Sequence, residues 1–287
     1  MILVTGATGQ LGSATIDFLL KKLPSSQIAA LVRDKSKAAS LTASGVTIRV
    51  GSYDDTASLD RAMKGVEKVL LIAGTDEDKR VQQHTNVVDA AKRAGVPFIA
   101  YTSRTLKDRS TMANQLMEGH FRTEDYIRTS GLTYALFRNV LYMDAIPQFV
   151  GPNVFDGGIH LPAGQGKVPF ALRAEMGEAM ANALAANDSG SRIYQLTGSE
   201  AYSFADVAAA LTDLSGKTVQ YAPAEPSVFE AQLAGRGVPA VVVQRVIGFL
   251  TDIKNGQEDE VSPDLENLLG RKPTSLREGL KTLYKLG

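Results

Sequence analysis

Thr5-Gly6-Ala7-Thr8-Gly9-Gln10-Leu11-Gly12 spaces three glycines evenly, directly after the apolar run Ile2-Leu3-Val4. That pattern can hold a phosphate. The first glycine permits a sharp strand-to-helix turn, and the second leaves no Cβ between backbone and pyrophosphate. The third lets the helix pack close to the sheet. The following helix offers unpaired N–H groups and the positive end of its dipole. Gly6, Thr8, Gly9, Gln10, Leu11 and Gly12 are therefore expected to touch a dinucleotide. The alternative is a glycine turn that only packs helix on sheet. Against it, the strand, the turn and an amphipathic helix occur in the order the motif demands.

The second chemical signal is Arg33, at the end of Ala29-Ala30-Leu31-Val32 and 21 positions after Gly12. An acid at this strand end accepts bonds from the ribose hydroxyls of NAD, whereas an arginine nearby accommodates the 2′-phosphate of NADP. Charge-assisted bonds from a guanidinium are worth roughly 1.5–3 kcal/mol each. Lys35 and Lys37 add positive field. NADP(H) is the expected cofactor; Asp34 as a ribose acid would favour NAD instead. Ligands sit outside the C-terminal ends of parallel strands, which nominates Ala73-Gly74-Thr75 after the fourth apolar run and Thr102-Ser103 after the fifth.

The elements that must position these residues alternate. Short apolar runs at residues 2–4, 28–32, 46–50, 69–72, 98–101 and 132–137 read as strands. Helical patterns at 10–23, 35–43, 56–64, 82–94 and 117–129 separate them. Ile16, Leu19, Leu20 and Leu23 share one helix face, and Pro24 ends that helix. Strands joined by helices of this length pair in parallel with right-handed crossovers. The expected fold is an α/β Rossmann doubly wound parallel sheet. After about Asn139 prolines and glycines become dense, and a long irregular segment of this kind is usually functional. A strand at 193–196, a helix at 204–214 and a short strand at 219–221 follow. We expect an NADP(H)-binding core over residues 1–138. A smaller substrate-side subdomain over 139–287 would interleave with the last strands of the core sheet.

Composition excludes several classes. The 287 residues carry 31 basic and 31 acidic side chains, net charge +0, without the basic excess of nucleic-acid binders. There is no cysteine, so disulfides, thiolate metal sites and thiol catalysis are excluded. His84, His120 and His160 lie far apart in sequence, without metal-ligand spacing, and no metal is expected. The N-terminus lacks the basic region of a signal peptide. No stretch approaches the roughly 18 apolar residues of a membrane span. A cytoplasmic protein without membrane or nucleic-acid partners is expected, with a homodimer left open.

The chain resembles the NmrA-like family of atypical short-chain dehydrogenases/reductases over nearly its whole length. Residues 4–12 carry the resemblance, with Ala30-Leu31-Val32-Arg33, residues 86–96, residues 98–103, and Leu136-Phe137-Arg138-Asn139 followed by Tyr142. Ala163-Gly164-Gln165-Gly166-Lys167 and Leu214-Ser215-Gly216-Lys217 also fit. Short-chain dehydrogenases typically use a Y-x-x-x-K pair, in which lysine tunes the tyrosine as acid or base. None of the nine tyrosines here has a lysine four residues on, which argues against alcohol dehydrogenase or sugar epimerase chemistry.

The resemblance implies transfer of hydride from NADPH to a quinone-like or similarly flat electrophilic acceptor. Such a reaction needs placement more than a base. A triarylmethane dye or other xenobiotic acceptor is one alternative, and a non-catalytic NADP(H)-sensing regulator is another. The resemblance also puts Ser103 opposite the nicotinamide, and puts His120 on the helix face where the missing lysine would stand. Arg138 and Asn139 would lie on the nicotinamide side, with Asn139 bonding the carboxamide and Tyr142 stacking near the acceptor. Arg138 could equally ion-pair with a helix carboxylate. The segment from Lys167 to Arg173 is expected to come near, with Lys167 a cofactor contact. Phe149, Phe155 and Phe170 are candidates for either an acceptor pocket or the core.

Overall fold

The computed structural model describes residues 1–186 and 190–286. Seven parallel strands, β1 (Ile2–Val4), β2 (Ile28–Val32), β3 (Thr47–Val50), β4 (Lys68–Leu71), β5 (Phe98–Arg104), β6 (Thr133–Asn139) and, after a short β7 (Lys167–Val168), β8 (Arg192–Leu196), build the main sheet. Their order is β3-β2-β1-β4-β5-β6-β8. The order reverses between β1 and β4, and such a switch point opens a crevice outside the carboxyl ends of the strands. β7 pairs antiparallel with β9 (Tyr202–Ser203) in a separate ribbon.

Period-two alternation feeds two apolar layers. Ile2, Val4, Ile28, Ala30, Val32 and Leu70 point into one. Leu3, Ala29, Leu31, Val69 and Leu71 point into the other. The first layer is closed by α1 (Gln10–Leu19), α2 (Ala39–Ala43) and helices of the second half. The second is closed by α3 (Thr56–Ala62), α4 (Arg80–Arg93) and α5 (Glu118–Thr129). Both sheet faces are thus covered, which is why the strands read as nearly continuous apolar runs.

The second half contributes directly to this frame. Short helices α6 (Ile146–Val150) and α7 (Val154–Gly157) precede α8 (Arg173–Ala185). Then come α9 (Phe204–Ser215), α10 (Pro226–Gly235), α11 (Ala240–Lys254), α12 (Asp264–Leu269) and α13 (Leu276–Tyr284). β8 extends the main sheet beside β6. α8 lies against α1 so closely that a Cβ on Gly177 would fall 2.9 Å from the Cβ of Ala14 and 3.0 Å from the Thr15 nitrogen. Among the described residues no helix is long and apolar enough to cross a membrane, and no group of acids and histidines could hold a metal ion.

Three expected elements differ. The first α-helix stops at Leu19, because Lys21 N–H bonds back to Phe18 and tightens the turn before Pro24. Residues 35–43 split into a 3-10 turn over Lys35–Ala38 and then α2, because Asp34 caps Ser36. The strand expected at 219–221 is a single bridge from Tyr221 to Ile159. The N–H of Val219 is taken by the Thr212 hydroxyl on α9 at 2.9 Å, so backbone pairing with Ile159 begins only at the Gln220 carbonyl and the Ala222 N–H.

Candidate functional site

The cleft at the switch point encloses about 610 Å³. Its floor is the glycine turn. Gly6 sits at φ 57°, a left-handed conformation that favours glycine. A Cβ on Gly12 would lie 2.4 Å from the Gly6 carbonyl oxygen, so the turn closes on the helix only without one. At Gly9 the nearest protein atom to such a Cβ is the same oxygen, at 3.2 Å. Thr8, Gly9, Gln10 and Leu11 line the cleft with Gly6 and Gly12.

At one end stands Arg33, exposed and lining the cleft. The neighbouring Asp34 is occupied: it accepts from the Ser36 N–H at 2.9 Å and the Ser36 hydroxyl at 2.7 Å. Those bonds hold its carboxyl below the usual range. Asp34 therefore behaves as a turn cap, and the wall at this strand end carries an arginine. Lys37 is exposed in the 3-10 turn that Asp34 caps and is not among the residues lining the cleft.

The middle wall is Ala73, Gly74 and Thr75. The Ala73 N–H donates to the Thr102 hydroxyl at 2.9 Å, tying the end of β4 to β5. The Gly74 N–H donates to Nε2 of His84 at 2.9 Å. That bond fixes the tautomer: Nδ1–H donates to the Thr123 hydroxyl at 2.9 Å, and Thr123 donates on to the Gly119 carbonyl. Burial first, and Arg80 second, push His84 down to about 3.

The far end gathers Ser103, His120 and Tyr142. Ser103 Oγ is buried without a partner among the described residues. His120 lies 2.9 Å from the Tyr101 hydroxyl through Nδ1. Burial, then Arg80, His84 and Arg104, hold it well below its ordinary pKa, so it is neutral near pH 7. The Tyr142 hydroxyl accepts from Asn139 Nδ2 at 3.2 Å, and burial raises its pKa. Asn139 Oδ1 is itself buried and unpartnered. Asn139 stands behind Tyr142 rather than on the wall.

Two further expected contacts, besides Lys37 and Asn139, do not line the cleft. Arg138 turns to α5 and grips Glu124 through two bonds, at 3.0 and 2.6 Å. A carboxylate that deeply buried needs a paired charge, and Arg138 supplies it. Lys167 is exposed on β7, which pairs with β9 rather than with the main sheet, and is not among the residues lining the cleft. The phenylalanines are not on the wall either: Phe170 packs edge-on to Phe204, and Phe155 edge-on to Tyr284. Sequence reasoning missed Gly51, Ser52 and Tyr53 after β3, which the strand-end rule could have found. It also assigned no individual role to Arg173, the first residue of α8, which lines the cleft beside Tyr142.

A parallel sheet reversed at β1/β4, with a glycine turn opening α1 into the crevice, defines a Rossmann-type dinucleotide-binding protein. The chain belongs to the NmrA-like family, whose sequence pattern matches residues 1–284. It is 38% identical to quinone oxidoreductase 2 of Escherichia coli, over 100% of this chain and 99% of that protein. The crystal structure of the E. coli NADPH-dependent quinone oxidoreductase complexed with NADPH is similar at TM-score 0.92 and 37% identity. That match covers 99% of this chain and 100% of the other. Triphenylmethane reductase of Citrobacter sp., complexed with NADP(H), is similar at TM-score 0.90 and 35% identity, over 99% and 100% of the two chains.

Proposed function

We propose that the chain is an NADPH-dependent reductase of quinones and similarly flat electrophiles, working without a tyrosine–lysine pair. The observation that carries this is the polarity of the cleft from end to end. An arginine with no carboxylate partner among the described residues stands at the end suited to a 2′-phosphate. At the other end, the groups able to exchange a proton are a neutral histidine, a serine and a protonated tyrosine. The cleft fits the cofactor on three counts: the Gly12 cradle has no room for a side chain, Ser103 lines it with a buried Oγ left unpartnered among the described residues, and Arg33 lines it free of Asp34.

In this reading the residues divide the work. Gly6, Gly9 and Gly12 let backbone N–H groups approach the pyrophosphate. Arg33 selects the 2′-phosphate. Gly74, pinned by His84, and Ser103 position the nicotinamide half. Bound NADPH supplies the hydride. Tyr142, its oxygen accepting from Asn139, keeps its own proton available to hydrogen-bond the acceptor oxygen that gains charge. A quinone is already electrophilic, and its reduced oxygens take protons from water, so placement is the main demand on the protein. The full-length relatives named for quinone and triphenylmethane reduction support this acceptor class.

The test is to follow NADPH and NADH oxidation with benzoquinone, a naphthoquinone, a triarylmethane dye and a sugar nucleotide. Turnover with the flat acceptors and preference for NADPH are expected. Bound NADPH with no turnover on any flat acceptor would overturn the reductase reading.

A further inference from the structure

We infer that Arg173 is the pyrophosphate-side cation of the cleft, a cofactor-binding residue supplied by the half of the chain remote from the glycine turn. This rests on the cofactor reading above. Its position follows from packing. The close crossing at Gly177 brings the first turn of α8 beside the first turn of α1. There the Arg173 guanidinium donates to the Gln10 side-chain oxygen, within the glycine turn itself. Its carbon lies 4.3 Å from the centre of the Tyr142 ring, so the guanidinium rests over a flat aromatic face. The backbone N–H of Arg173 is held by Asp144 at 2.7 Å, which anchors the start of the helix.

Charge points the same way. NADP(H) carries two separated anionic groups, the 2′-phosphate and the pyrophosphate. The residues lining the cleft include two cations, Arg33 and Arg173, and no lysine. The lining acids are engaged: Asp54 accepts from Gln83 at 3.1 Å, and Asp76 caps the Lys79 N–H at 3.1 Å. Buried and half-buried arginines nearby are neutralised, Arg138 by Glu124 and Arg104 by Glu258. Arg173 has no carboxylate within ion-pair distance among the described residues, and its one side-chain acceptor is a neutral amide. Arg33 answers the 2′-phosphate. The glycine turn offers N–H groups but no full charge, and Arg173 is the cation next to it. A guanidinium presents paired donors that match phosphate oxygens, which a lysine would not reproduce.

The test is a binding titration, read without turnover, on adenosine 2′-monophosphate, 2′-phospho-ADP-ribose and NADPH. The first ligand lacks a pyrophosphate and the other two contain one. Arg173→Gln is expected to weaken the two pyrophosphate ligands about ten-fold or more while leaving the monophosphate within about two-fold. Arg173→Lys should recover part of the loss. Arg33→Gln should weaken all three. The salt dependence of NADPH binding should flatten in Arg173→Gln, a readout that a packing defect would not move. Unchanged 2′-phospho-ADP-ribose binding in Arg173→Gln overturns the inference alone, as does an equal loss on all three ligands. Wild-type protein that binds none of them overturns the cofactor reading with it.

Discussion

The Gly74 N–H donates to Nε2 of His84 at 2.9 Å, so the middle wall of the cleft is pinned from beneath by a ring on α4. Only a neutral imidazole can accept there. The free side chain titrates near 6.5, but burial and Arg80 push the native one down to about 3. Between these values the unfolded chain binds the extra proton and the native chain does not. Stability therefore rises with pH across that window and is lost as the solution is acidified through it, by at most about 1.4 kcal/mol per pH unit for this group. His84→Asn keeps an acceptor and removes the titration. Melting temperature should fall less steeply below pH 6.5 in that variant than in the wild type; parallel profiles would refute the assignment.

Gly12 and Gly9 separate fold from ligand. A Cβ at Gly12 meets the Gly6 carbonyl at 2.4 Å and the Ala7 Cα at 2.9 Å, both backbone atoms that cannot yield cheaply. Gly12→Ala should destabilise the protein by about 1–3 kcal/mol, the usual range for overpacking, and abolish tight NADPH binding. Gly9→Ala meets one protein atom at 3.2 Å. It should melt close to the wild type and lose cofactor affinity, since its new methyl points to where a pyrophosphate approaches. Thermal melts and NADPH titrations on the pair check both arms. Equal stability losses in the two variants would remove the distinction.

The first half of the fold was legible because each strand there is an apolar run bounded by an amphipathic helix, and both patterns are local. The glycine turn and the ends of β2, β4 and β5 were legible for the same reason, and they account for most of the cleft wall. α8 was not, although Met176, Met180 and Leu184 mark its buried face. Its other core-facing residues, Gly177, Ala179 and Ala181, are small, and their fit against α1 is a property of two distant segments. Arg173 shares that fate, since its place depends on the crossing of α1 and α8. Arg138 shows the converse: the resemblance implied a cofactor role, with an ion pair to a helix carboxylate as the alternative, and the structure has the ion pair, with the buried Glu124 on α5.

We expect Arg33 to decide between cofactors. Because Asp34 is tied to Ser36, no acid at this strand end competes for the ribose hydroxyls. Loss of charge-assisted phosphate bonds, roughly 1.5–3 kcal/mol each, should weaken NADPH by about ten-fold to a hundred-fold. Arg33→Ala should leave NADH binding nearly unchanged. Titrations with both cofactors test this, and equal losses would sink the 2′-phosphate role.

Arg104 and Glu258 form a buried ion pair that joins the end of β5 to the segment after α11. Arg104 also stacks on Phe249 at 4.6 Å, and burial lowers its pKa to about 10. Removing one partner strands a charge, so Glu258→Ala should cost about 3–5 kcal/mol. Replacing both by apolar residues, Arg104→Met with Glu258→Leu, should recover much of that loss. Denaturant unfolding of the single and double variants measures the coupling, and additive losses would show that the pair does not act as a unit.

Tyr142 is the group we expect to act on the acceptor. Asn139 donates to its oxygen, which leaves the phenolic hydrogen free to point into the cleft, and burial keeps that hydrogen on the oxygen. A donor aimed at an oxygen that gains charge contributes more as the reaction proceeds than in the ground state. Tyr142→Phe keeps the ring against Arg173 and deletes only the donor. Its NADPH dissociation constant should stay within about two-fold of the wild type, while kcat with a quinone falls about ten-fold to a hundred-fold. Asn139→Ala should lower kcat less, since it loosens the hydroxyl without removing it. If Tyr142→Phe turns over quinone at the wild-type rate, the oxygen is served by water alone, and the cleft contributes only orientation.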